Sequence, residues 1–158
     1  MELKEAAFAA GCFWGVEDSF RQLAGVEKTE VGYMGGNTDK PSYEQVCSGK
    51  TGHAETLHLK FDPEVISYQE LLKNFWEIHD PTTMNKQGPD IGSQYRSVIF
   101  YYDENQKNAA EQSKQELDQS GKYSNPIVTE VTPATAFNRA EEYHQQYYEK
   151  NPHKPKVC

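Results

Sequence analysis

Alternating and helical patterns of apolar residues divide the first half of the chain into short strands and helices. An apolar run at 5–10 predicts a strand, and apolar residues at helical spacing over 16–23 predict a helix directly after it. Further strands are predicted at 26–33 and 56–61, the second from alternation of apolar and polar residues. The stretch at 32–52 is rich in Gly, Pro, Ser and Thr, and its length favours a functional loop.

The second half of the chain begins with a helix that has a clear N-terminal signal. Ser67 followed by Glu70 forms a capping box, which predicts a helix that runs to about His79. A second long polar loop follows at 80–94. The remaining predicted elements are a strand at 95–102, a helix at 104–120, a strand at 127–131 and a helix at 140–150.

The order of these elements predicts an α+β protein with two layers. Strand-helix-strand-strand-helix-strand is the order of the ferredoxin-like split βαβ core, to which C-terminal helices are added. A chain of 158 residues is typical of one domain, so we interpret 1–158 as a single domain. Two prolines in 151–158 favour a flexible tail.

Composition argues against several classes of partner. The net charge of −8 argues against binding to nucleic acid or to an anionic membrane. No apolar run approaches the roughly 20 residues that span a bilayer, and the first five residues lack the features of a signal peptide. We therefore expect a cytoplasmic protein, and we expect a monomer.

The chain has three cysteines, Cys12, Cys47 and Cys158. An odd and sparse set does not resemble a secreted disulfide framework, and it suits a reducing compartment in which thiols remain available for chemistry. The five histidines show no metal-ligand spacing with these cysteines, so no metal is expected.

Cys12 lies where the first predicted strand becomes the first predicted helix. The N-terminus of a helix offers unpaired N–H groups and the positive end of the helix dipole, and both stabilise a thiolate. Gly11 and Gly15 leave room for another molecule, and Phe13 and Trp14 place aromatic rings beside the sulfur. The pattern favours a site for a small, partly apolar electrophile, whereas simple packing is the usual role of a free cysteine.

Polar candidates lie in or beside the two long loops, namely Tyr43, Glu55, Asp90 and Tyr95. Each of them also has a structural interpretation. A glutamate at a strand end is usually solvated, tyrosines often pack loops, and an aspartate between glycines often belongs to a turn. Taken singly, these residues leave both interpretations open.

Three motifs occur in the order that is typical of one enzyme family. They are Gly11-Cys12-Phe13-Trp14-Gly15, Gly52-His53-Ala54-Glu55, and Gln-Gly-x-Asp-x-Gly-x-Gln-Tyr-Arg-Ser over 87–97. Two further similar segments are His79-Asp80-Pro81-Thr82 and Glu142-Tyr143-His144-Gln145. From about Ala7 to Pro152 the sequence closely resembles the A class of peptide-methionine sulfoxide reductases, which act on the S epimer of methionine sulfoxide. The resemblance implies a ferredoxin-like core, in agreement with the order of the predicted elements.

The resemblance implies that Cys12 is the nucleophile that attacks the sulfoxide sulfur and that Glu55 protonates the sulfoxide oxygen. A sulfoxide is a poor electrophile until its oxygen is protonated or strongly hydrogen-bonded. Burial raises the pKa of a carboxyl group, because desolvation disfavours the charged form. We therefore expect Glu55 to be largely buried and mostly protonated when substrate binds.

The resemblance places the other candidates around the same pocket. Tyr43 and Tyr95 are similar to residues that donate hydrogen bonds to the sulfoxide oxygen, and Asp90 is similar to a residue on the polar side of the pocket. Phe13 and Trp14 resemble the wall that receives the ε-methyl group of the substrate. An amphipathic pocket suits a methyl group that lies beside a polar S=O bond.

Attack produces a sulfenic acid on Cys12, which must then condense with a second thiol. We predict Cys158, because a proline-containing tail can move toward Cys12, whereas Cys47 resembles a family cysteine that is not generally needed. The resemblance implies that thioredoxin reduces the resulting disulfide and that no bound cofactor takes part. Many relatives carry Asn-Pro-x-Gly-Tyr-Cys near the end, but here the cysteine follows Pro152 by six positions and no glycine intervenes. With one tail cysteine, a two-step disulfide relay is not expected.

Two other functions remain as alternatives. A cysteine hydrolase would pair Cys12 with a histidine such as His53 and would need no reductant. A non-catalytic binding domain would use the aromatic pocket only to hold methionine, and it would keep its function in a Cys12→Ser variant. We predict instead an enzyme that reduces methionine sulfoxide, free or in oxidised proteins.

Overall fold

A computed structural model describes residues 2–154 and shows a mixed α/β fold around a central sheet. The strands of the central sheet are β1 (Lys4–Ala10), β2 (Val26–Met34), β3 (Ala54–Phe61), β6 (Ser97–Tyr101), β7 (Glu130–Pro133) and β8 (Asn138–Arg139). A separate hairpin is formed by β4 (Lys86–Gln87) and β5 (Asp90–Ile91). The helices are α1 (Phe13–Arg21), α2 (Tyr43–Cys47), α3 (Tyr68–Glu77), α4 (Glu104–Gln119) and α5 (Tyr147–Lys150).

The central sheet has the strand order β7-β6-β1-β3-β2-β8. All neighbouring strands are antiparallel except β6 and β7, which are parallel. Strand β1 is therefore an inner strand, and its residues from Ala6 to Ala10 are at most 5% exposed. This explains why the sequence shows a continuous apolar run at 5–10 rather than an alternating one.

The main core lies between the sheet and the helices α1 and α3. Phe8 on β1 stacks on Phe20 of α1 with 5.2 Å between ring centroids, and it contacts Phe75 of α3 at 5.3 Å. A smaller apolar cluster covers the opposite face of the sheet, where Ala134 and Phe137 pack against it. Both faces of the sheet are therefore packed, and the sheet is a fixed support for the side chains at the ends of its strands.

The capping signals in the sequence correspond to real helix N-termini. The Ser67 hydroxyl accepts a hydrogen bond from the backbone N–H of Glu70 (3.1 Å), and the Glu70 carboxyl group accepts one from the N–H of Ser67 (3.2 Å). The same arrangement joins Ser42 and Gln45 at the start of α2. Sequence analysis had interpreted that segment only as loop, although Ser-x-x-Gln is itself a capping-box signal.

The helix predicted at 140–150 is wrong, because only its last turn, α5, is α-helical. Gln146, just before α5, has a left-handed backbone with φ 51°. The Gln145 amide accepts a hydrogen bond from Val31 N–H (2.8 Å) and donates to the carbonyls of Val31 (2.8 Å) and Ala140 (3.0 Å). These bonds tie the segment to β2 and take the place of helical hydrogen bonds.

The other predicted elements agree with the structure apart from their bounds. The strand predicted at 127–131 begins later, at Glu130. The strand predicted from Tyr95 begins at Ser97, after a 3-10 turn over Ser93–Tyr95. Within residues 2–154, no helix is both long enough and apolar enough to cross a membrane.

Candidate active site

Cys12 occupies the N-cap position of α1, directly after the turn that follows β1. Gly11 has φ 96°, a left-handed backbone value that favours glycine. A Cβ atom at Gly11 would lie 2.8 Å from Cγ of Gln87, so a side chain here would collide with the β4–β5 hairpin. The glycine therefore allows both the sharp turn and the close approach of the hairpin to the half-buried Cys12.

A cavity of about 430 Å³ opens beside Cys12. Its lining includes Val16, Ile78, Gln87 and Asp90, which come from α1, the end of α3 and the hairpin. Cys12 is disulfide-bonded in this structure, whereas Cys47 is a free thiol. The geometry therefore describes the oxidised form of the site.

The carboxyl group of Glu55 lies at the N-terminus of α1. Glu55 is 1% exposed, and its Oε1 accepts a hydrogen bond of 3.2 Å from the backbone N–H of Phe13. Its Oε2 is buried and has no hydrogen-bond partner within the described chain. Burial raises the pKa of Glu55 to about 8, and a negative charge on Asp90 acts in the same direction. At neutral pH this carboxyl group is mostly protonated and has an O–H to donate.

Tyr43 and Tyr95 lie close to this carboxyl group. Their side chains interact with each other, and Tyr43 also interacts with the thiol of Cys47. Burial, followed by a negative charge on Glu55, raises the pKa of Tyr95 to about 12. Burial, followed by the interaction with Cys47, raises the pKa of Tyr43 well above its ordinary value. Both hydroxyl groups are neutral donors at physiological pH.

Asp90 lies at the start of β5, on the cavity side of Cys12. Burial raises the pKa of Asp90, and a negative charge on Asp90 raises the pKa of Glu55. The hairpin that carries it is held by Gln87, whose side-chain amide bonds both the N–H and the carbonyl of Asp80 (each 2.8 Å). Asp80 and Gln87 belong to two of the sequence motifs, and their hydrogen bonds hold the β4–β5 hairpin against the end of α3.

Phe13 and Trp14 belong to an aromatic cluster. Phe13 is only 1% exposed, and Trp14 is half-buried. The Trp14 indole N–H donates to Nδ1 of His144 at 3.0 Å, and its ring stacks on Tyr147 with centroids 3.7 Å apart. The His144 ring also contacts the rings of Phe13 (5.3 Å) and Tyr43 (4.5 Å). One histidine thus connects Phe13 and Trp14 to Tyr43.

Sequence reasoning assigned no role to His144 or to Glu141. The carboxyl group of Glu141 accepts hydrogen bonds from the backbone N–H of Tyr43 (3.2 Å) and from the hydroxyl of Tyr33 (3.5 Å). The only available signal was the Glu142-Tyr143-His144-Gln145 segment, which resembles the family but is far from Cys12 in sequence. Cys47, which resembles a family cysteine that is not generally needed, has an exposed thiol that interacts with Tyr43.

His53, the histidine considered as the base of a Cys–His hydrolase, has both ring nitrogens in hydrogen bonds. The Nδ1 atom of His53 accepts from the N–H of Gly36 (3.0 Å), and its Nε2 lies 2.6 Å from the carbonyl of Thr38, to which it donates. His53 therefore holds the loop before α2 and is not a base for Cys12. Within the described residues, no group of three or more His, Cys, Asp or Glu could hold a metal ion.

The predicted resolving residue, Cys158, lies outside the described residues 2–154, as does the whole second half of the predicted tail, 155–158. The other predicted site residues all fall within the described chain. The charges of Glu55 and Asp90 both act on Tyr95, and Glu55 also interacts with Asp90 and with Tyr43, so the structure brings these four residues near one another. The site therefore combines a cysteine at a helix N-terminus with a protonated acid and two neutral hydroxyl donors.

Comparison with known proteins identifies the family of the chain. Residues 4–158 match the family described as peptide methionine sulfoxide reductase. The chain is 62% identical over 148 residues to MsrA of Methanosarcina acetivorans, covering 94% of this chain and 79% of that relative. Reduced Mxr1 of Saccharomyces cerevisiae superposes with a TM-score of 0.90 at 40% identity, covering 98% of this chain and 88% of the other. Mxr1 in complex with Trx2 superposes with a TM-score of 0.65 at 26% identity, covering 92% and 85%. The chain belongs to the peptide methionine sulfoxide reductase family.

Proposed function

We propose that this reductase acts on the S epimer of methionine sulfoxide, free or protein-bound, with Cys12 as nucleophile and Glu55 as acid. The observation that carries the proposal is the buried Glu55 carboxyl group, whose pKa is raised to about 8 and which lies at the helix N-terminus that Cys12 caps. A proton donor and a stabilised thiolate are the two groups that a sulfoxide requires.

In the proposed first step, the Cys12 thiolate attacks the sulfoxide sulfur while Glu55 protonates the sulfoxide oxygen. The bond formed between the sulfur of Cys12 and the substrate sulfur then breaks, together with the S–O bond, as the protonated oxygen moves to Cys12. Cys12 becomes a sulfenic acid, and methionine leaves as the two-electron-reduced product. The unpaired Oε2 of Glu55 supports this role, because a buried carboxyl oxygen without a partner is available to the substrate.

Tyr43 and Tyr95 act as neutral donors to the same oxygen. Their raised pKa values keep both hydroxyl groups protonated throughout the working pH range. Asp90 lines the polar side of the cavity and helps to keep Glu55 protonated. Trp14, supported by the buried Phe13, forms the apolar wall for the ε-methyl group.

In the proposed recycling step, the thiol of Cys158 condenses with the Cys12 sulfenic acid, which releases water and forms a disulfide. Thioredoxin then reduces this disulfide, a step supported by the relative that was solved in complex with Trx2. Such recycling requires a reducing compartment, so we place the protein in the cytoplasm.

The test of this function uses the pre-reduced protein without any added reductant. Mixed with the S epimer, each chain should release about one methionine and lose two thiols, the count required when a sulfenic acid is resolved by a second cysteine. The R epimer should release none, because the proposed oxygen donors and the proposed wall for the methyl group suit only one arrangement of these two groups on the sulfur. Equal consumption of both epimers, or methionine release without thiol loss, would overturn the proposal.

A Cys158→Ser variant separates attack from recycling. With thioredoxin as reductant, we expect about one turnover per chain and then a stall, because the sulfenic acid has no partner thiol. A Cys47→Ser variant is the matched control and should continue to turn over. Methionine release is followed over time in each case, and sustained turnover by Cys158→Ser would remove this cysteine from the mechanism.

We also propose that the core is the ferredoxin-like split βαβ arrangement. The inner strand order β6-β1-β3-β2, with α1 between β1 and β2 and α3 between β3 and β6, supports it. The long loops before β3 and β6 then carry Tyr43 and Tyr95 to the same end of the sheet as Cys12.

A further inference from the structure

Glu17 is a buried acid for which the proposed mechanism has no use. It lies on α1 and is 1% exposed. Its Oε1 accepts a hydrogen bond of 2.7 Å from the backbone N–H of Gln146, and its Oε2 accepts one of 2.7 Å from the hydroxyl of Thr29. Because burying a carboxyl group is unfavourable unless it is well paired, this arrangement calls for an explanation.

The residue that Glu17 holds has an unfavourable backbone conformation. Gln146 adopts φ 51° and ψ 46°, which residues with a Cβ atom rarely do. Such a conformation persists only when its surroundings fix it. Glu17 binds the N–H of Gln146, and the preceding Gln145 is tied to the backbone of β2 by its side-chain amide.

Two of the residues that contact the Trp14 indole, His144 and Tyr147, lie on either side of this held pair. His144, which precedes it, accepts the indole N–H, and Tyr147, which follows it, stacks on the indole ring. Trp14 and Glu17 are three positions apart on α1, so they lie on the same face of the helix. The left-handed residue Gln146 therefore lies between the two positions that contact Trp14.

We propose that Glu17 is a positioning residue for the apolar wall of the active site: by binding the N–H of Gln146, it fixes His144 and Tyr147 against Trp14. This inference rests on the proposed role of Trp14 in holding the substrate methyl group. Glu17 does not touch the substrate, and it acts only through the segment 144–147.

The experiment compares Glu17→Ala with Glu17→Gln in the full-length enzyme, with dithiothreitol as reductant. In Glu17→Ala the KM for methionine sulfoxide should rise at least about fivefold, the scale of one lost hydrogen bond, while kcat changes little. Glu17→Gln keeps a side-chain oxygen that can accept from Gln146, so its KM should stay close to that of the wild type.

The control is Gln106→Ala on α4. Gln106 is also buried, and its side chain also makes two hydrogen bonds, to the N–H of Tyr102 (2.9 Å) and the carbonyl of Glu5 (2.7 Å). Its loss should lower stability without changing KM. If Glu17→Ala does not fold, Glu17→Asp replaces it, because the shorter side chain cannot reach Gln146 and should raise KM in the same way.

A second readout does not depend on turnover. Solvent exchange of the Trp14 indole N–H, assigned in the NMR spectrum with a Trp14→Phe variant, should be faster in Glu17→Ala and unchanged in Glu17→Gln and Gln106→Ala. Wild-type exchange and KM in Glu17→Ala, or equal defects in Glu17→Ala and Glu17→Gln, would overturn the inference. If the wild type reduces no sulfoxide, the proposed function fails, and the exchange data still decide whether Glu17 positions Trp14.

Discussion

A Cys12→Ser variant is expected to lose methionine sulfoxide reduction by at least about 1,000-fold, which brings it to the background of the reductant alone. A serine hydroxyl stays protonated at neutral pH even at a helix N-terminus, and it cannot accept oxygen in the way a thiolate does. The side chain at position 12 makes no capping hydrogen bond, so the substitution should leave α1 intact.

The measurement for Cys12→Ser is methionine formed per chain with thioredoxin or dithiothreitol as reductant. Cys47→Ser serves as the matched control, because it also replaces a thiol by a hydroxyl group near the site, and it should retain turnover of the wild-type order. Retained turnover in Cys12→Ser would place the nucleophile elsewhere and would contradict the mechanism.

A Glu55→Gln variant is expected to lower kcat/KM by about 100- to 10,000-fold, the range that a positioned general acid contributes. The amide oxygen can still accept the N–H of Phe13, so the helix N-terminus keeps its partner, but the acidic proton is gone. Glu111→Gln on α4, which lies away from the site, is the control for a lost carboxyl group. A loss of less than about tenfold would be too small for a general acid.

The pH dependence of Glu55 gives an independent check. Because the pKa is raised to about 8, wild-type kcat/KM should fall as the pH rises through about 8, when the donor loses its proton. The folded protein also holds a proton that the unfolded chain releases near pH 4.5, so stability should fall as the pH rises from about 4.5 to about 8. In Glu55→Gln the component of both trends that is due to residue 55 should disappear. Identical pH profiles for the variant and the wild type would assign the titration to another group.

Much of the fold was predictable because its signals are local. Ser67 and Glu70 lie within one helical turn, and their reciprocal bonds form wherever the chain becomes helical. Alternation at 56–61 and the apolar run at 5–10 likewise depend on neighbouring residues. The helix predicted at 140–150 failed because Gln145 bonds a strand that lies 114 positions away in sequence. No local pattern contains that partner.

In the candidate site, too, some features follow from local sequence and others depend on the tertiary structure. The placement of Cys12 at a strand-to-helix turn follows from Gly11, from the apolar run before it and from the helical spacing after it. This placement was determined by the sequence itself, because it requires only residues close together in the chain. That Glu55, Asp90 and Tyr95 meet at the same site was implied only by the resemblance to the reductase family.

The chemical state of those residues was decided by the tertiary structure. The pKa of Glu55 is raised because the fold buries its carboxyl group and, to a smaller extent, because Asp90, 35 positions away in sequence, is brought near it. The orientation of Trp14 depends on its hydrogen bond to His144, which lies 130 positions away in sequence. It also depends on the hydrogen bond between Glu17 and Gln146, which are 129 positions apart. Burial and long-range hydrogen bonds exist only after the chain has folded, so the sequence alone could name these groups but not their protonation or orientation.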